Sequence, residues 1–331
     1  MTEQPEFDKI PWDDITRFGQ ATMLDDTLFA VSWILGRFCN YKCSYCWPYA
    51  RSDSIDHQPL EVYTRTIDEI KRQARQNGFN KFHWSFSGGE PTAYKHLLEL
   101  VRHVDDGPNT PYQSIHMTTN LSPSRKWWKN FADSTGMLQR KSLTASFHDE
   151  FAKEIEFGDK IVQLTEDQVF VTVNQVMVPE KFYELYERLE RFNSRGINVT
   201  LKPQSDPTAS RVVDGYTQEM IHLMRTGFPQ RANQEEVLQV KLIDSQQKVY
   251  WLDQAERFNA FGFNKFTNWS CNSGYQSVII RSNEVKRSYS CHDPILGTLE
   301  DGFNLFTEPK VCVTPSCVSS ADSKIPKCKL T

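Results

Sequence analysis

Segments with strand-like composition alternate with helix-like segments from residue 27 to about residue 230. The first strand-like segment, 27–35 (TLFAVSWIL), is rich in β-branched and aromatic residues, and 59–76 after it has a helical pattern. Five further strands are predicted at 81–87, 113–119, 141–148, 169–178 and 198–203. Helices are predicted at 94–104, from Ser122 and Pro123 onward, at 179–194 and at 217–225. Six β-then-α units in series predict an α/β fold with a parallel sheet and right-handed crossovers. Six units rather than eight predict a partial (β/α)6 barrel.

After about residue 230 the pattern changes to short strands separated by polar turns. Segments 240–244 and 248–252 form one predicted hairpin, and 277–281 with 284–288 form another. The sequence therefore predicts three parts: a polar N-terminal lead-in (1–26), a partial barrel (27–230) and a small hairpin-rich, cysteine-rich C-terminal domain (231–331).

The composition excludes several classes of protein. The chain has 331 residues, of which 24% are charged, and its net charge of −4 disfavours a sequence-independent nucleic-acid binder. A basic and aromatic run at 125–129 is expected to be an amphipathic surface helix rather than a nucleic-acid contact. No stretch of the chain reaches about 18 uncharged apolar residues, so no membrane span is predicted. The acidic and polar N-terminus is unlike a secretory signal. A cytoplasmic protein without membrane attachment is expected.

The eight cysteines fall into two groups separated by 224 residues that contain none. In a cytosolic protein such groups favour metal ligands over disulfides. The sequence therefore predicts two metal sites, one in each group. The members are Cys39, Cys43 and Cys46 in the first group and Cys271, Cys291, Cys312, Cys317 and Cys328 in the second.

The first group has the spacing C-x3-C-x2-C and directly follows the first predicted strand. Barrel enzymes carry their reactive groups at the carboxyl ends of strands. Three thiolates can bind three irons of a [4Fe–4S] cluster and leave the fourth iron open for chemistry. A structural zinc site and three unrelated buried thiols are the alternatives. A closed zinc site needs four ligands, and no histidine lies within ten residues of Cys46.

A second motif, S-G-G-E-P at residues 87–91, directly follows the second predicted strand and so belongs to the same edge of the sheet. Its paired glycines allow a close approach of the backbone to a ligand, and the Glu90 carboxylate could hold an ammonium group. Taken alone, the motif is more typical of an ordinary loop with an exposed glutamate before a helix that starts near Pro91.

Together the two motifs resemble those of the radical S-adenosylmethionine superfamily, over about residues 27–230. The resemblance implies a [4Fe–4S] cluster and S-adenosylmethionine as cofactors, reductive cleavage to a 5′-deoxyadenosyl radical, and abstraction of a hydrogen atom from the substrate. It implies iron ligation by the first three cysteines and contact of Tyr45, the aromatic residue of the motif, with the adenine. The residues expected to cradle the methionine end are Ser87, Gly88, Gly89 and Glu90.

Polar residues near the ends of the later strands are weaker candidates for the site. For each of them, ordinary capping of a strand end is the alternative. His148 is the candidate catalytic acid or base, although His-Asp-Glu is also a common start of a helix. The others, as candidate cofactor contacts, are Thr118, Thr119, Asn120, Ser146, Asn174, Lys202 and Gln204.

In the tail, Cys271 and Cys291 bracket a predicted hairpin, and Leu296-Gly297 follows. This layout resembles the SPASM or shorter twitch extension of the same superfamily, which implies an auxiliary iron–sulfur cluster. The chain departs from that pattern in its C-x4-C pair and in Asn283-Glu284, which replaces the frequent Asp-Gly turn. Five cysteines for four ligand places leave Cys328 as the candidate spare. Three roles are open for Cys328. It is a disordered terminal thiol, it ligates the cluster in place of Cys312 or Cys317, or it donates a hydrogen atom to a substrate radical. A zinc ribbon in the tail is the alternative.

The leading functional prediction is therefore radical chemistry on a small-molecule or peptide substrate, with flavodoxin or ferredoxin as the reducing partner. Only 26 residues precede the first predicted strand, so no fused leader-recognition domain is expected there. The alternatives are a non-catalytic iron–sulfur or zinc-binding protein and a nucleic-acid-modifying enzyme that uses the same chemistry.

Overall fold

A computed structural model describes residues 10–25, 27–47, 49–105, 107, 110–208, 211–229, 240–252 and 262–330 of the chain. No helix in these ranges is both long and apolar enough to cross a membrane.

Six strands of the main sheet run parallel and lie side by side in chain order, as the strand–helix alternation predicts. They are β2 (Leu28–Ile34), β3 (Lys81–Ser87), β4 (Tyr112–Thr119), β5 (Arg140–Phe147), β6 (Phe170–Met177) and β7 (Asn198–Pro203). The helices between and after them are α2 (Leu60–Gln76), α3 (Leu97–Val104), α4 (Arg125–Ser134), α5 (Glu154–Glu166), α6 (Phe182–Ser194) and α7 (Gln218–Thr226). The predicted six-unit partial barrel is confirmed.

The two faces of this sheet differ because right-handed crossovers between sequential strands place every helix on one side. On β3, Phe82, Trp84 and Phe86 are fully buried and belong to the core beneath the helices. Residues that alternate with them on the other face, such as His83 and Ser85, are only half-buried. We call this helix-free side the inner face. Its side chains on β3, β4 and β5 are largely hydroxyl and imidazole groups.

Three helix starts differ from the sequence prediction by more than one residue. Helix α6 begins at Phe182 rather than at Pro179, because a 3-10 turn (Pro179–Lys181) comes before it. A 3-10 turn (Pro91–Ala93) comes before α3, which begins only at Leu97. Helix α4 begins at Arg125 rather than near Ser122, and the Ser124 hydroxyl caps it by accepting a hydrogen bond from the Trp127 amide. Ser122 is not the cap because its amide and hydroxyl bind other side chains, described below. Trp128 of α4 is fully buried, so this helix packs on the core as expected.

The C-terminal hairpins continue the main sheet. Strands β11 (Ser277–Arg281) and β12 (Glu284–Lys286) form the predicted hairpin, and β11 pairs in parallel with β2. Strands β13 (Ile295–Thr298) and β14 (Gly302–Phe303) extend it further. The side-chain amide of Gln73 on α2 donates to the Phe303 carbonyl and accepts from the Leu305 amide. The C-terminal region is thus tied to the barrel by backbone pairing and side-chain contacts.

A second sheet carries most of the tail cysteines in or beside its strands. Its order is β15 (Lys310–Val311), β10 (Trp269–Cys271), β16 (Lys327–Lys329), β1 (Ile15–Gln20), β8 (Val240–Asp244) and β9 (Val249–Leu252). The β8–β9 pair is the predicted first hairpin. The short helix α1 (Ala21–Asp25) follows β1 in the chain, and the short helix α8 (Ser320–Ser323) precedes β16. Strand β1, which the sequence analysis left in a polar lead-in, pairs between β16 and β8. The three-part domain division remains a prediction, and the β1 and β11 pairings cross its boundaries.

Candidate active site at the strand ends

The loop that carries Cys39, Cys43 and Cys46 begins at the carboxyl end of β2, and the Gly-Gly-Glu loop follows the neighbouring strand β3. The Gly89 amide donates to the Gly36 carbonyl (2.9 Å), and the Glu90 amide donates to the Phe38 carbonyl (2.8 Å). These two bonds fix the backbone directly before the first cysteine. The second motif therefore binds the first motif, in addition to any ligand that it holds.

Both glycines are required by this contact. A Cβ atom at Gly88 would lie 2.2 Å from the Gly36 carbonyl oxygen, and one at Gly89 would lie 2.2 Å from the Phe38 carbonyl oxygen. Gly88 also has a φ of +143°, which other residues rarely adopt. The sequence analysis attributed the glycine pair to close approach by a ligand, and the structure adds close approach by the cysteine loop.

Two carboxylates that the sequence analysis did not single out hold the same loop. Asp56 accepts from the Arg37 amide (2.9 and 3.0 Å) and the Phe38 amide (3.3 Å). Glu150, just after β5, accepts from both the amide and the hydroxyl of Ser44. No spacing rule points to them, because each acts through a loop backbone that is distant in sequence. The cysteine loop is therefore held by one carboxylate before the first cysteine and by another between the second and third cysteines.

We expect Glu150→Ala to loosen the iron-binding loop, because it removes two acceptor contacts at Ser44, between the second and third cysteines. Iron loss to a chelator should become about fivefold faster, which corresponds to ~1 kcal/mol, the net contribution of a typical hydrogen bond. The readout is the decay of cluster absorbance under anaerobic chelator challenge. Glu166→Ala, at the exposed last residue of α5, is the matched control. Equal decay rates for the two variants would contradict the proposed clamp.

Glu90 is buried, with 2% of its surface exposed, and its carboxylate accepts four hydrogen bonds. The donors are the amide and hydroxyl of Thr92, the hydroxyl of Thr119 (2.7 Å) and the amide of Asn120 (2.6 Å). Burial raises the pKa of Glu90, and these hydrogen bonds oppose that rise. Three of the four bonds go to one oxygen, Oε1, so Oε2 keeps acceptor capacity for a cationic ligand. Thr119 and Asn120, predicted as cofactor contacts, hold Glu90 in place.

Asn40, inside the cysteine motif, links the loop to the end of β4. The Asn120 side-chain amide donates to Asn40 Oδ1, and Asn40 Nδ2 donates to the Ser122 hydroxyl, both at 2.9 Å. Asn120 Oδ1 accepts from the Ser122 amide. Leu121 between them has a φ of +54°, and the buried Lys160 ammonium donates to its carbonyl at 3.0 Å. This network encloses one side of a pocket of about 200 Å³ beside the cysteine loop.

His148, the candidate acid or base, lies against the cysteine loop. Its Nδ1 atom is 2.8 Å from the Tyr45 hydroxyl and 3.3 Å from Cys43 Sγ, and the Tyr45 ring stacks on its imidazole. Burial lowers the pKa of His148 to about 4, so the imidazole is neutral near pH 7. These contacts support a positioning role for both residues. The predicted contact of Tyr45 with adenine and the catalytic role of His148 stay predictions.

The three thiols interact with one another electrostatically. Burial, together with negative charge on Glu150, Cys39 and Cys46, raises the pKa of Cys43 to about 12. Burial also raises the pKa of Cys39, with a contribution from Cys46. Three close thiolates repel each other, so this donor set fits a multiply charged iron cluster that would offset their charge. Cys46 is exposed, which leaves one side of the group open.

The remaining predicted contacts lie on the inner face, near the same edge. Ser146 pairs in register with Asn174, and Asn174 pairs with Thr200. Lys202 pairs with Val176 one layer closer to the strand ends. Thr118 pairs with Thr144 one layer below, and the Gln204 amide bonds the Tyr216 hydroxyl. The structure thus brings these side chains to one face, while their contact with a ligand remains a prediction.

In the tail, four of the five cysteines belong together. Burial, together with the charges of Cys271 and Cys312, raises the pKa of Cys317 to about 12. Burial likewise raises the pKa of Cys271, with contributions from Cys291 and Cys312. The Ser288 hydroxyl lies 3.1 Å from Cys291 Sγ. The group of Cys271, Cys291, Cys312 and Cys317 is called here the tail thiol group.

Cys328 lies on the other face of the second sheet. Cys271 pairs in register with Lys327, and Ser270 pairs with Cys328, so Cys271 and Cys328 point to opposite faces. Cys328 is exposed, as is Arg17, its register partner on β1. The structure therefore separates Cys328 from the tail thiol group.

No three Cys, His, Asp or Glu side chains in the described ranges converge on a single metal-ion position. The thiolates of a four-iron cluster bind different irons, so this finding concerns single-ion sites only.

Comparison with known proteins places this site among related ones. Over 122 residues the chain is 30% identical to the probable GTP 3′,8-cyclase of Methanococcus aeolicus, covering 37% of this chain and 38% of that protein. Over 68 residues it is 35% identical to the PqqA peptide cyclase of Bradyrhizobium diazoefficiens, covering 20% and 17%. The chain thus matches well under half the length of these curated relatives.

The fold is similar to the solved structure "Native anSMEcpe with bound AdoMet and Kp18Cys peptide", at 14% identity and a TM-score of 0.52. The similarity covers 83% of this chain and 78% of that one. Residues 33–202, just over half of the chain, match the family model of the radical SAM superfamily, so the chain belongs to that superfamily.

Proposed function

We propose that the chain is a radical SAM enzyme that binds a [4Fe–4S] cluster through Cys39, Cys43 and Cys46 and acts on a polar small-molecule or peptide substrate. The observation that carries the proposal is the backbone clamp between the Gly-Gly-Glu loop and the cysteine loop. It presents three thiols at the strand ends beside a buried carboxylate with spare acceptor capacity. A non-catalytic metal-binding protein has no need of that carboxylate.

When bound, the cluster and S-adenosylmethionine supply an electron and a carbon-centred radical. The chain's own residues do the rest. Glu90 Oε2 is placed to accept a hydrogen bond from the ligand's ammonium group. Asp56 and Glu150 hold the iron-binding loop through hydrogen bonds from the Arg37 and Ser44 amides. Such fixed geometry is the contribution that a protein makes to cofactor chemistry.

The inner face supports a polar substrate. His116 Nδ1 lies 2.9 Å from the Ser142 hydroxyl, and its Nε2 lies 3.2 Å from the Thr144 hydroxyl. His83 bonds the Ser114 hydroxyl at 2.8 Å. Burial lowers the pKa of His116 to about 3 and that of His83 to about 4, so both are neutral hydrogen-bonding groups at pH 7. A wall of hydroxyls and neutral imidazoles suits a hydrogen-bonding substrate.

Similar proteins include one named for GTP and two associated with peptides, and both substrate classes fit a polar wall. The net charge of −4 and the buried Trp128 of the basic run disfavour nucleic acid as the substrate. Flavodoxin or ferredoxin is the proposed electron donor. A cytoplasmic location remains a prediction.

The tail thiol group is proposed to bind an auxiliary iron–sulfur cluster of the twitch type. The support is the electrostatic coupling of four buried or half-buried thiols within one small domain, and the predicted layout around the β11–β12 hairpin. Cys328, on the opposite face, is the proposed spare thiol.

The test of the catalytic proposal is cleavage of S-adenosylmethionine. Reconstituted protein under reducing, anaerobic conditions is expected to produce 5′-deoxyadenosine and methionine, quantified by liquid chromatography. The Cys39/Cys43/Cys46→Ala triple variant should produce neither above background, while Cys328→Ala should match the wild type. Wild-type protein with full iron content that leaves S-adenosylmethionine intact would overturn the proposal.

A further inference from the structure

Lys327, at the start of β16, is a buried lysine whose charge is held in a cage of acceptors. Its ammonium donates to the carbonyls of Asp322 (2.9 Å), Ser323 (3.2 Å) and Ile325 (2.8 Å). Three donors thus meet three acceptors. The side chain is only 2% exposed. Burying a charge is costly, so such a position needs a compensating interaction.

Two aromatic rings complete the cage. The ammonium lies 4.6 Å from the centroid of Phe266 and 5.8 Å from that of Phe18. Aromatic faces attract cations, and more strongly where water is excluded. Carbonyls and rings stabilise the positive charge without neutralising it. Within the described ranges, no carboxylate forms an ion pair with Lys327. Its neighbour Asp322 turns carboxylate Oδ2 to the amide and hydroxyl of Ser290.

The position of Lys327 in the sheet directs this charge toward the tail thiol group. Lys327 is the register partner of Cys271 on the adjacent antiparallel strand β10. Residues directly opposite one another in such a pair share one face of the sheet. Cys271, Cys312 and Cys317 belong to the same buried cluster as Phe18 and Phe266.

The electrostatics agree with this placement. Burial has the largest influence on the pKa values of Cys271 and Cys317 and raises both. The positive charge of Lys327 has the second largest influence and lowers both pKa values. For Cys317 this attraction exceeds the opposing repulsion from Asp322.

We propose that Lys327 is a built-in counter-charge for an iron–sulfur cluster bound by the tail thiol group and that it raises the reduction potential of that cluster. The inference rests on the proposed auxiliary cluster. A cluster with four thiolate ligands is an anion and becomes more negative when it accepts an electron. A nearby fixed cation therefore favours the reduced form, and net charge is one of the factors that set cluster potentials.

A purely structural role is the competing explanation, because the cage carbonyls of Asp322 and Ser323 belong to α8, and a lysine there also caps that short helix. A cap would affect folding but not the potential of a correctly assembled cluster. The reduction potential, rather than activity, therefore separates the two explanations.

The experiment is a redox titration followed by electron paramagnetic resonance, in full-length Cys39/Cys43/Cys46→Ala protein so that only the tail cluster reports. Adding Lys327→Met should lower the ratio of reduced to oxidised cluster about tenfold at a fixed potential, a shift of ~59 mV for one electron. Lys310→Met is the matched control. Lys310 is the register partner of Cys271 on the other side, but its side chain is 42% exposed and paired with Glu308 at 2.9 Å.

An unchanged potential in a Lys327→Met protein that retains its iron would overturn the inference. If the Lys327→Met variant folds but binds no iron in the tail, the Lys327→Arg variant distinguishes the two explanations. Retention of tail iron by Lys327→Arg supports a role for the positive charge. Loss of tail iron in both variants shows that the shape of the lysine side chain is what matters and overturns the inference. A parent protein that binds no tail iron at all would refute the auxiliary cluster itself, which is a different result from an unchanged potential.

Discussion

Replacing Cys39, Cys43 and Cys46 together by alanine is expected to lower the iron content from about eight to about four per chain. The reason is that the first three thiols lie in the loop after β2, whereas Cys271 and Cys312 of the tail thiol group lie in or beside strands β10 and β15 of the second sheet, so one cluster can be lost without the other. The measurement is iron and acid-labile sulfide per chain after anaerobic reconstitution.

The complementary variant, Cys271/Cys317→Ala, is expected to lower the iron content by the same amount while S-adenosylmethionine cleavage persists. Cys328→Ala is the matched control within the tail, because Cys328 lies on the exposed face of the second sheet, apart from the tail thiol group. It should leave iron at about eight. A loss of iron in this control would make Cys328 a ligand after all.

Different iron contents in the wild type and the triple variant would contradict the two-cluster arrangement. If wild-type protein holds about four irons, the triple variant holds none, and zinc remains bound, the tail is a zinc site. The radical chemistry proposed for the first group would stand, and the counter-charge role of Lys327 would fall with the auxiliary cluster.

The sequence predicted the parallel sheet well because its strands are short apolar runs separated by amphipathic helices, a local signal. The bounds of β3, β7, β8 and β11 match the prediction to the residue. The sequence did not indicate which distant strands pair with one another. The parallel pairing of β11 with β2 joins segments almost 250 residues apart, and nothing in either strand's own pattern specifies the other. The insertion of β1 into the tail sheet was missed for the same reason.

At the site, motif spacing identified the cysteines and the Gly-Gly-Glu loop but could not give their relationship. Glu90 was expected to face a ligand, and its carboxylate also accepts four hydrogen bonds from the chain itself. Asp56 and Glu150 act on the cysteine loop from distant positions, and Asn40 inside the loop bonds the side chains of Asn120 and Ser122. Any polar residue in a loop can fill such a role. Sequence patterns report which residue types recur, whereas such clamps depend on tertiary approach.

The second large effect is expected from Gly89→Ala. The added methyl group would lie 2.2 Å from the Phe38 carbonyl oxygen and 2.4 Å from that of Arg37, both backbone atoms of the segment before Cys39. The Phe38 oxygen accepts from the Glu90 amide and the Arg37 oxygen accepts from the Ser52 amide, both at 2.8 Å, so relief of the contact requires the cysteine loop to shift. A displacement of about 1 Å at reacting groups can cost about 10²-fold in rate, and we expect at least that loss in S-adenosylmethionine cleavage.

The matched control for this glycine is Gly136→Ala, in the exposed turn after α4. There the new methyl group would lie 3.3 Å from its nearest neighbour, the Asp133 carbonyl oxygen. Both variants should keep the wild-type circular dichroism spectrum, because the contact at Gly89 is local and lies outside the packed core. Gly89→Ala should also lose iron to a chelator faster than the control. If Gly89→Ala cleaves S-adenosylmethionine as fast as Gly136→Ala, the close approach of the two loops is not what positions the cluster. The glycine pair would then serve the ligand alone, as the sequence by itself suggested.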